Sequence, residues 1–119
     1  MLYTYKAKYL SNYDGDTIDF LVDLGFGISY KIRVRLLGVN TLEIRSKIEE
    51  ERVKARLARD VVKIELSNAE EIIIKTKKDK TGKYGRYLAD ILYKRDKMAE
   101  MPTSLAQLLL ERELAVPYE

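Results

Sequence analysis

The chain contains no cysteine and no histidine. Without thiolates or imidazoles there can be no zinc site of that kind, and nucleophilic catalysis by Cys or through His is excluded as well. A disulfide framework is also ruled out. Any metal the chain holds must be a hard cation bound through oxygen, which leaves calcium, magnesium and manganese. Long apolar runs are missing too. The opening MLYTYKAKYL alternates apolar with polar residues, and no stretch approaches the ~20 apolar residues that cross a bilayer as a helix. The expectation is a soluble cytoplasmic protein that makes no membrane contact, with secretion after removal of a leader as the alternative.

What is present sets the scale. With 119 residues, 46% of them hydrophobic and 34% charged, the chain has material for one core and too little length for two. A single domain over 1–119 is expected. The net charge of +3 and pI near 9.0 permit a polyanionic partner without requiring one.

Along the chain, Tyr3, Tyr5, Ala7 and Tyr9 alternate with Thr4, Lys6, Lys8 and Leu10, the period of two that marks a strand over 2–13. Asn12 to Asp16 is turn chemistry. Ile18, Phe20, Val22 and Leu24 alternate in a second strand, and Gly25-Phe26-Gly27 closes a hairpin onto a third over 28–39. Between 46 and 66 the period changes. Ile48, Arg52 or Val53, Leu57, Val61 and Ile64 recur at helical spacing, which predicts an amphipathic helix capped by Ser46 with those residues inward. The β-branched run EIIIKTK over 71–77 predicts a fourth strand, and 87–93 a fifth. A strongly basic stretch, 75–83, lies between them. Pro102-Thr103-Ser104 opens a second helix with Leu105, Leu108, Leu109 and Leu114 inward. This order predicts a mixed, mainly β fold: a five-stranded Greek-key barrel of the oligonucleotide-binding (OB-fold) type with two to three α-helices.

The chemistry gathers in RVRLLGVNTLE, residues 33–43. As a strand it sends Ile32, Val34 and Leu36 to one face and Lys31, Arg33 and Arg35 to the other. Gly38 then loosens the strand, and an amide oxygen (Asn40), a hydroxyl with its carbonyl (Thr41) and a carboxylate (Glu43) leave its end. Such a set suits a phosphoester. Asp14-Gly15-Asp16 reads either as a plain turn or, where Asp16 sits beside the exit of the third strand, as the carboxylate that joins the oxygens of Asn40 and Thr41 around one cation. Arg35 is either a surface cation or, with Arg86 approaching from the opposite side, half of a clamp on phosphate oxygens that Lys could not reproduce. Glu43 is either the first acidic residue before a helix or a base.

Asp14-Gly15-Asp16-Thr17, Arg35-Leu36-Leu37-Gly38-Val39-Asn40-Thr41-Leu42-Glu43 and Lys83-Tyr84-Gly85-Arg86 together resemble, in order and spacing, the three motifs of the staphylococcal nuclease (thermonuclease) family. The resemblance spans about residues 5 to 118. It implies a calcium-dependent phosphodiesterase on an OB-fold barrel that cuts DNA and RNA with little sequence preference and leaves 3′-phosphates. It assigns Asp16, Asn40 and the backbone carbonyl of Thr41 to calcium, with magnesium or manganese as alternatives. It makes Glu43 the group that orients or deprotonates the attacking water, and sets Arg35 and Arg86 against the phosphoryl oxygens. Lys83 and Tyr84 would contact a terminal phosphate and Tyr118 a base. The expected partners are DNA and RNA, single strands favoured, acted on by a monomer.

The sequence departs from the family pattern at Asn40, where Asp is usual, and at Leu42, where Pro is usual. The segment after Glu43 is shorter than in the type member, and the long C-terminal helical tail is not present. A second reading follows from the first two departures: a module that keeps the barrel to bind single-stranded nucleic acid or a protein partner without cutting.

Overall fold

The structure, a computed structural model, describes residues 2–81, 87–96 and 98–118. The alternating N-terminal half forms β1 (Leu2–Asn12), β2 (Thr17–Gly25) and β3 (Ile28–Leu36), an antiparallel meander. A two-residue strand, β4 (Val39–Asn40), precedes α1 (Glu49–Ser67). Then come β5 (Glu71–Thr81), β6 (Tyr87–Lys94), the short β7 (Thr103–Ser104), α2 (Leu105–Glu111) and β8 (Val116–Pro117). The main strands hydrogen-bond in the order β3-β2-β1-β5-β6. A parallel pairing of Val34 with Tyr87, Arg35 with Leu88 and Leu36 with Ala89 closes the ring. This is a closed, five-stranded mixed barrel with two helices, as the strand pattern predicts.

The inward positions of each strand fill the barrel. Ile18, Phe20 and Val22 of β2, Val34 and Leu36 of β3, Ile72 and Ile74 of β5, and Ala89, Ile91 and Tyr93 of β6 are buried, and Leu105, Leu109 and Leu114 join them from the C-terminal end. Burying such side chains gains about 1.5–3 kcal/mol for each large aliphatic or aromatic, so this cluster dominates the stability.

The structure corrects the sequence reading at three places. The third strand does not run to residue 39: it breaks after Leu36, because Gly38 takes φ +86°, a left-handed conformation that ends regular pairing. Helix α1 starts at Glu49, and its N-cap is Ile48 rather than Ser46. The Ser46 hydroxyl accepts from Ile48 N (3.2 Å) and donates to Glu51 Oε1 (2.7 Å), forming a turn ahead of the helix. The buried face of α1 is also rotated from the expected one. Ala55, Ala58, Val62, Glu65 and Leu66 face the barrel, while Ile48, Val53, Leu57 and Ile64 are more than half exposed. At Ala58 the helix lies so close to the Gly15 turn that a larger side chain would not fit. In α2 the expected Leu105, Leu109 and Leu114 are buried and Leu108 is half-buried. Ser104 caps that helix by accepting from Gln107 N at 3.3 Å.

One buried polar network ties α1 to the barrel. Glu65 is nearly inaccessible, and its carboxylate accepts from the Tyr93 hydroxyl (3.1 Å) and pairs with Arg95. Burial, with the Glu65 charge next, raises the Tyr93 phenol well above its usual range. A cavity of about 910 Å³ lies between β1, the β2–β3 hairpin and the α1–β5 turn, lined in part by Lys8, Phe26, Leu66 and Glu70. None of the residues that carry the chemistry described next lines it.

Candidate active site

The turn after β1, the end of β3 and the chain that follows β4 meet at one place. Leu36 N donates to Asp16 O at 2.8 Å, which holds the start of β2 against the end of β3. Asp16 Oδ2 then accepts from the buried Thr41 N–H at 3.0 Å. A residue 25 positions further along is thereby fixed to the Asp-Gly-Asp turn. Gly15 permits this approach. A Cβ built there would lie 2.8 Å from Thr41 Cγ2 and 3.0 Å from Ala58 Cβ, so the turn, the loop and α1 touch at a point where only hydrogen fits.

Arg35 stands at the centre of this cluster. Its Nη1 donates to the carbonyls of Leu36 (2.7 Å) and Val39 (2.8 Å) and lies 3.5 Å from Asp16 Oδ2, while Nη2 donates to Asn40 Oδ1 at 3.0 Å. Both members of the Asp16–Arg35 pair are largely shielded, with side chains 7% and 11% exposed, so their attraction is screened far less than that of a surface pair. The Tyr118 ring covers the guanidinium at 5.4 Å from its centroid.

Asp14, read from the sequence only as part of a turn, belongs to the site. Its Oδ1 accepts from Asp16 N at 3.0 Å. Burial, followed by its contact with the Asp16 carboxyl, pushes its pKa from 3.8 up to about 7. The sequence signal was the second Asp of Asp-Gly-Asp: two carboxylates two residues apart around a glycine turn have little room to diverge.

Among the described residues, then, the predicted Asp16, Arg35, Asn40, Thr41 and Tyr118 come together. Glu43 is exposed in the loop that follows, its carbonyl accepting from Ser46 N. Its carboxylate has no hydrogen-bond or ion-pair partner among the described residues. Lys83, Tyr84 and Arg86 lie outside the described residues.

The donors fit a hard divalent cation by their chemistry. They are all oxygens, with two acidic groups side by side, and the buried Thr41 Oγ1 has no hydrogen-bond partner among the described residues. Among the described residues no three carboxylates gather. A cation here would therefore depend on amide and carbonyl oxygens as well.

A closed OB-type barrel that sets an acidic pair beside an arginine where its loops converge defines a class, the OB-type barrel with a charged loop site. Within that class, the family model of staphylococcal nuclease homologues matches residues 33–119, and the chain belongs to that family. The matched range contains Arg35, Asn40, Thr41, Glu43 and Tyr118. Asp14 and Asp16 precede it and reach the site through the fold. No curated protein matches the chain.

Proposed function

We propose that the protein is a calcium-dependent nuclease that hydrolyses phosphodiester bonds of DNA and RNA, single strands favoured, with little sequence specificity. The observation that supports it most is the convergence of Asp16, Arg35, Asn40 and Thr41 around one point, with the Thr41 N–H and the Arg35 guanidinium both held by Asp16. Family membership supplies the reaction class.

In this reading Asp16, the Asn40 amide oxygen and the Thr41 carbonyl hold the cation, with magnesium or manganese as substitutes for calcium. When bound, the ion supplies positive charge against the growing negative charge of the phosphoryl group. Glu43 takes a proton from the attacking water: it is exposed and unpaired among the described residues, as a base that must meet a solvent molecule should be. Oxygen of that water bonds to phosphorus, the bond to the 5′ oxygen breaks, and the departing 5′ oxygen takes a proton from solvent, so that a 3′-phosphate and a 5′-hydroxyl result. Arg35 and Arg86 act where charge develops on the phosphoryl oxygens. Lys83 and Tyr84 hold a terminal phosphate and Tyr118 lies near a base. The enzyme acts as a monomer in the cytoplasm, independent of membranes. No helix among the described residues is long and apolar enough to cross one.

The test is cleavage of a short single-stranded DNA by purified protein across a range of calcium concentrations, with and without a chelator. Chelator-sensitive cleavage is expected, and Glu43→Gln should lower it by roughly 100-fold or more. A second reading has its own support in Arg35, which is already occupied by two carbonyls, Asn40 and Asp16. On that reading the barrel binds single-stranded nucleic acid or a protein partner without cutting it. Salt-sensitive oligonucleotide binding with no cleavage at any calcium concentration would decide for it.

A further inference from the structure

We infer that the segment 116–118 is a strap that sets the geometry of the site, and that Tyr118 is a positioning residue for Arg35. Strand β4 is two residues long and stands outside the barrel sheet. So short a strand cannot hold its own register. It is held instead by β8, with Val39 opposite Pro117 and Asn40 opposite Val116, and by Tyr118 N, which donates to Gly38 O at 2.9 Å. That grip covers the stretch between Gly38, where regular pairing has ended, and Thr41, whose N–H reaches Asp16.

The other end of the strap is firm. Leu114 is buried in the core and its N–H bonds Leu109 O at 2.9 Å, so β8 leaves an anchored helix. From there Tyr118 lays its ring on the guanidinium of Arg35. Arg35 in turn donates to Val39 O and Asn40 Oδ1, the residues that β8 pairs. The strap thus holds the loop twice, through its backbone and through the arginine. Tyr118 itself is 59% exposed. Removing its ring leaves no cavity in the core, so an effect on the site can be separated from an effect on folding.

This positioning role is additional to the base contact proposed for Tyr118, which on its own would show in KM. Its catalytic consequence rests on the nuclease reading; its structural consequence does not. The experiment compares Tyr118→Leu and Tyr118→Phe with the unchanged chain by amide hydrogen exchange at Thr41 and by kcat and KM on a short single-stranded oligonucleotide. Tyr118→Leu should speed Thr41 amide exchange by about threefold to tenfold, the worth of one ring–cation contact. It should lower kcat by a similar factor at nearly unchanged Tm. Tyr118→Phe, which keeps a ring, should restore both. Unchanged Thr41 exchange in Tyr118→Leu overturns the strap, as does a rise in KM alone with kcat retained. Should the unchanged chain cut nothing, the nuclease reading fails, and the exchange measurement still decides the strap on its own.

Discussion

Replacing Gly15 by Ala tests the joint between fold and site with a single methyl group. The new Cβ would stand 2.8 Å from Thr41 Cγ2, 3.0 Å from Ala58 Cβ and 3.4 Å from Thr41 Cβ, where ordinary contacts begin near the last value. Neither neighbour can yield cheaply. Ala58 is fully buried on α1, and Thr41 is tied to Asp16 through its own N–H. Overpacking of this kind costs about 1–3 kcal/mol. Against it stands the smaller entropy of an unfolded chain carrying Ala in place of Gly, about 0.4–1 kcal/mol in the opposite direction, which applies because Gly15 has no left-handed φ. The steric cost wins, and a net loss of about 1–2 kcal/mol should lower Tm by roughly 4–8 °C for a chain of this length. Thermal and urea melts read it directly. Thr41→Ser removes the nearer clashing methyl, so Gly15→Ala/Thr41→Ser should recover part of the loss, with a coupling of at least about 0.5 kcal/mol. A Gly15→Ala protein within 0.5 kcal/mol of the unchanged chain, or a double variant no better than the sum of its parts, would refute the close approach.

Asn40→Asp restores a charge beside the proposed cation and should tighten calcium binding by about tenfold or more, since one added unit charge at ligand distance is worth at least ~1–2 kcal/mol even in a watery site; calorimetric titration showing equal or weaker affinity would mean that residue 40 serves Arg35 alone. Tyr93→Phe removes the hydroxyl that bonds Glu65 Oε1 and leaves that buried oxygen with less than it had, so urea melts should show a loss of about 1–3 kcal/mol; a neutral result would mean that Arg95 suffices. Asp14 gives a pH signature. Its folded pKa of about 7 lies above the usual 3.8, so the fold holds a proton that the unfolded chain releases. The resulting stability is complete below about pH 4 and is lost as pH rises toward and through 7. Asp14→Asn lacks that titration. Measured with a chelator present, the Tm of Asp14→Asn minus that of the unchanged chain should increase from pH 5 to pH 8, and parallel curves would count against a raised Asp14 pKa.

The barrel was legible because its signal is binary: strands alternate, and the inward set of Ile18, Phe20, Val22, Val34 and Leu36 is the apolar set. The helix face was not legible in the same way. Val53, Leu57 and Ile64 follow helical spacing as well as Ala55, Ala58 and Val62 do, and hydrophobicity favours the larger residues. Which set faces inward is settled by the space between helix and barrel, a tertiary quantity that periodicity does not contain. At the site, motif order named Asp16, Arg35, Asn40 and Thr41, whose meeting depends on the β2–β3 pairing and the Asp16 carboxylate reaching Thr41 N–H. Asp14 escaped because its significance lies in what lies next to it in space. The hold of Arg35 on the carbonyls of Leu36 and Val39 escaped for a related reason: side-chain bonds to backbone leave no mark in residue type.

The charges of the cluster bear on the order of events in the proposed reaction. Burial first, and then the Asp16 carboxyl against it, raises the pKa of Asp14, and Asp16 has Arg35 at 3.5 Å as its cationic neighbour. The guanidinium is thereby drawn inward, toward the carboxylate and the loop carbonyls. A divalent ion held by Asp16, Asn40 and the Thr41 carbonyl as proposed would compete with Arg35 for the Asp16 carboxylate, which would free the guanidinium to face a phosphate. Asn40 makes that turn easier than Asp would: an amide oxygen holds a guanidinium less strongly than a carboxylate does. Cation and substrate would then bind with positive coupling through one side chain, and by linkage each would raise the affinity for the other by the same factor.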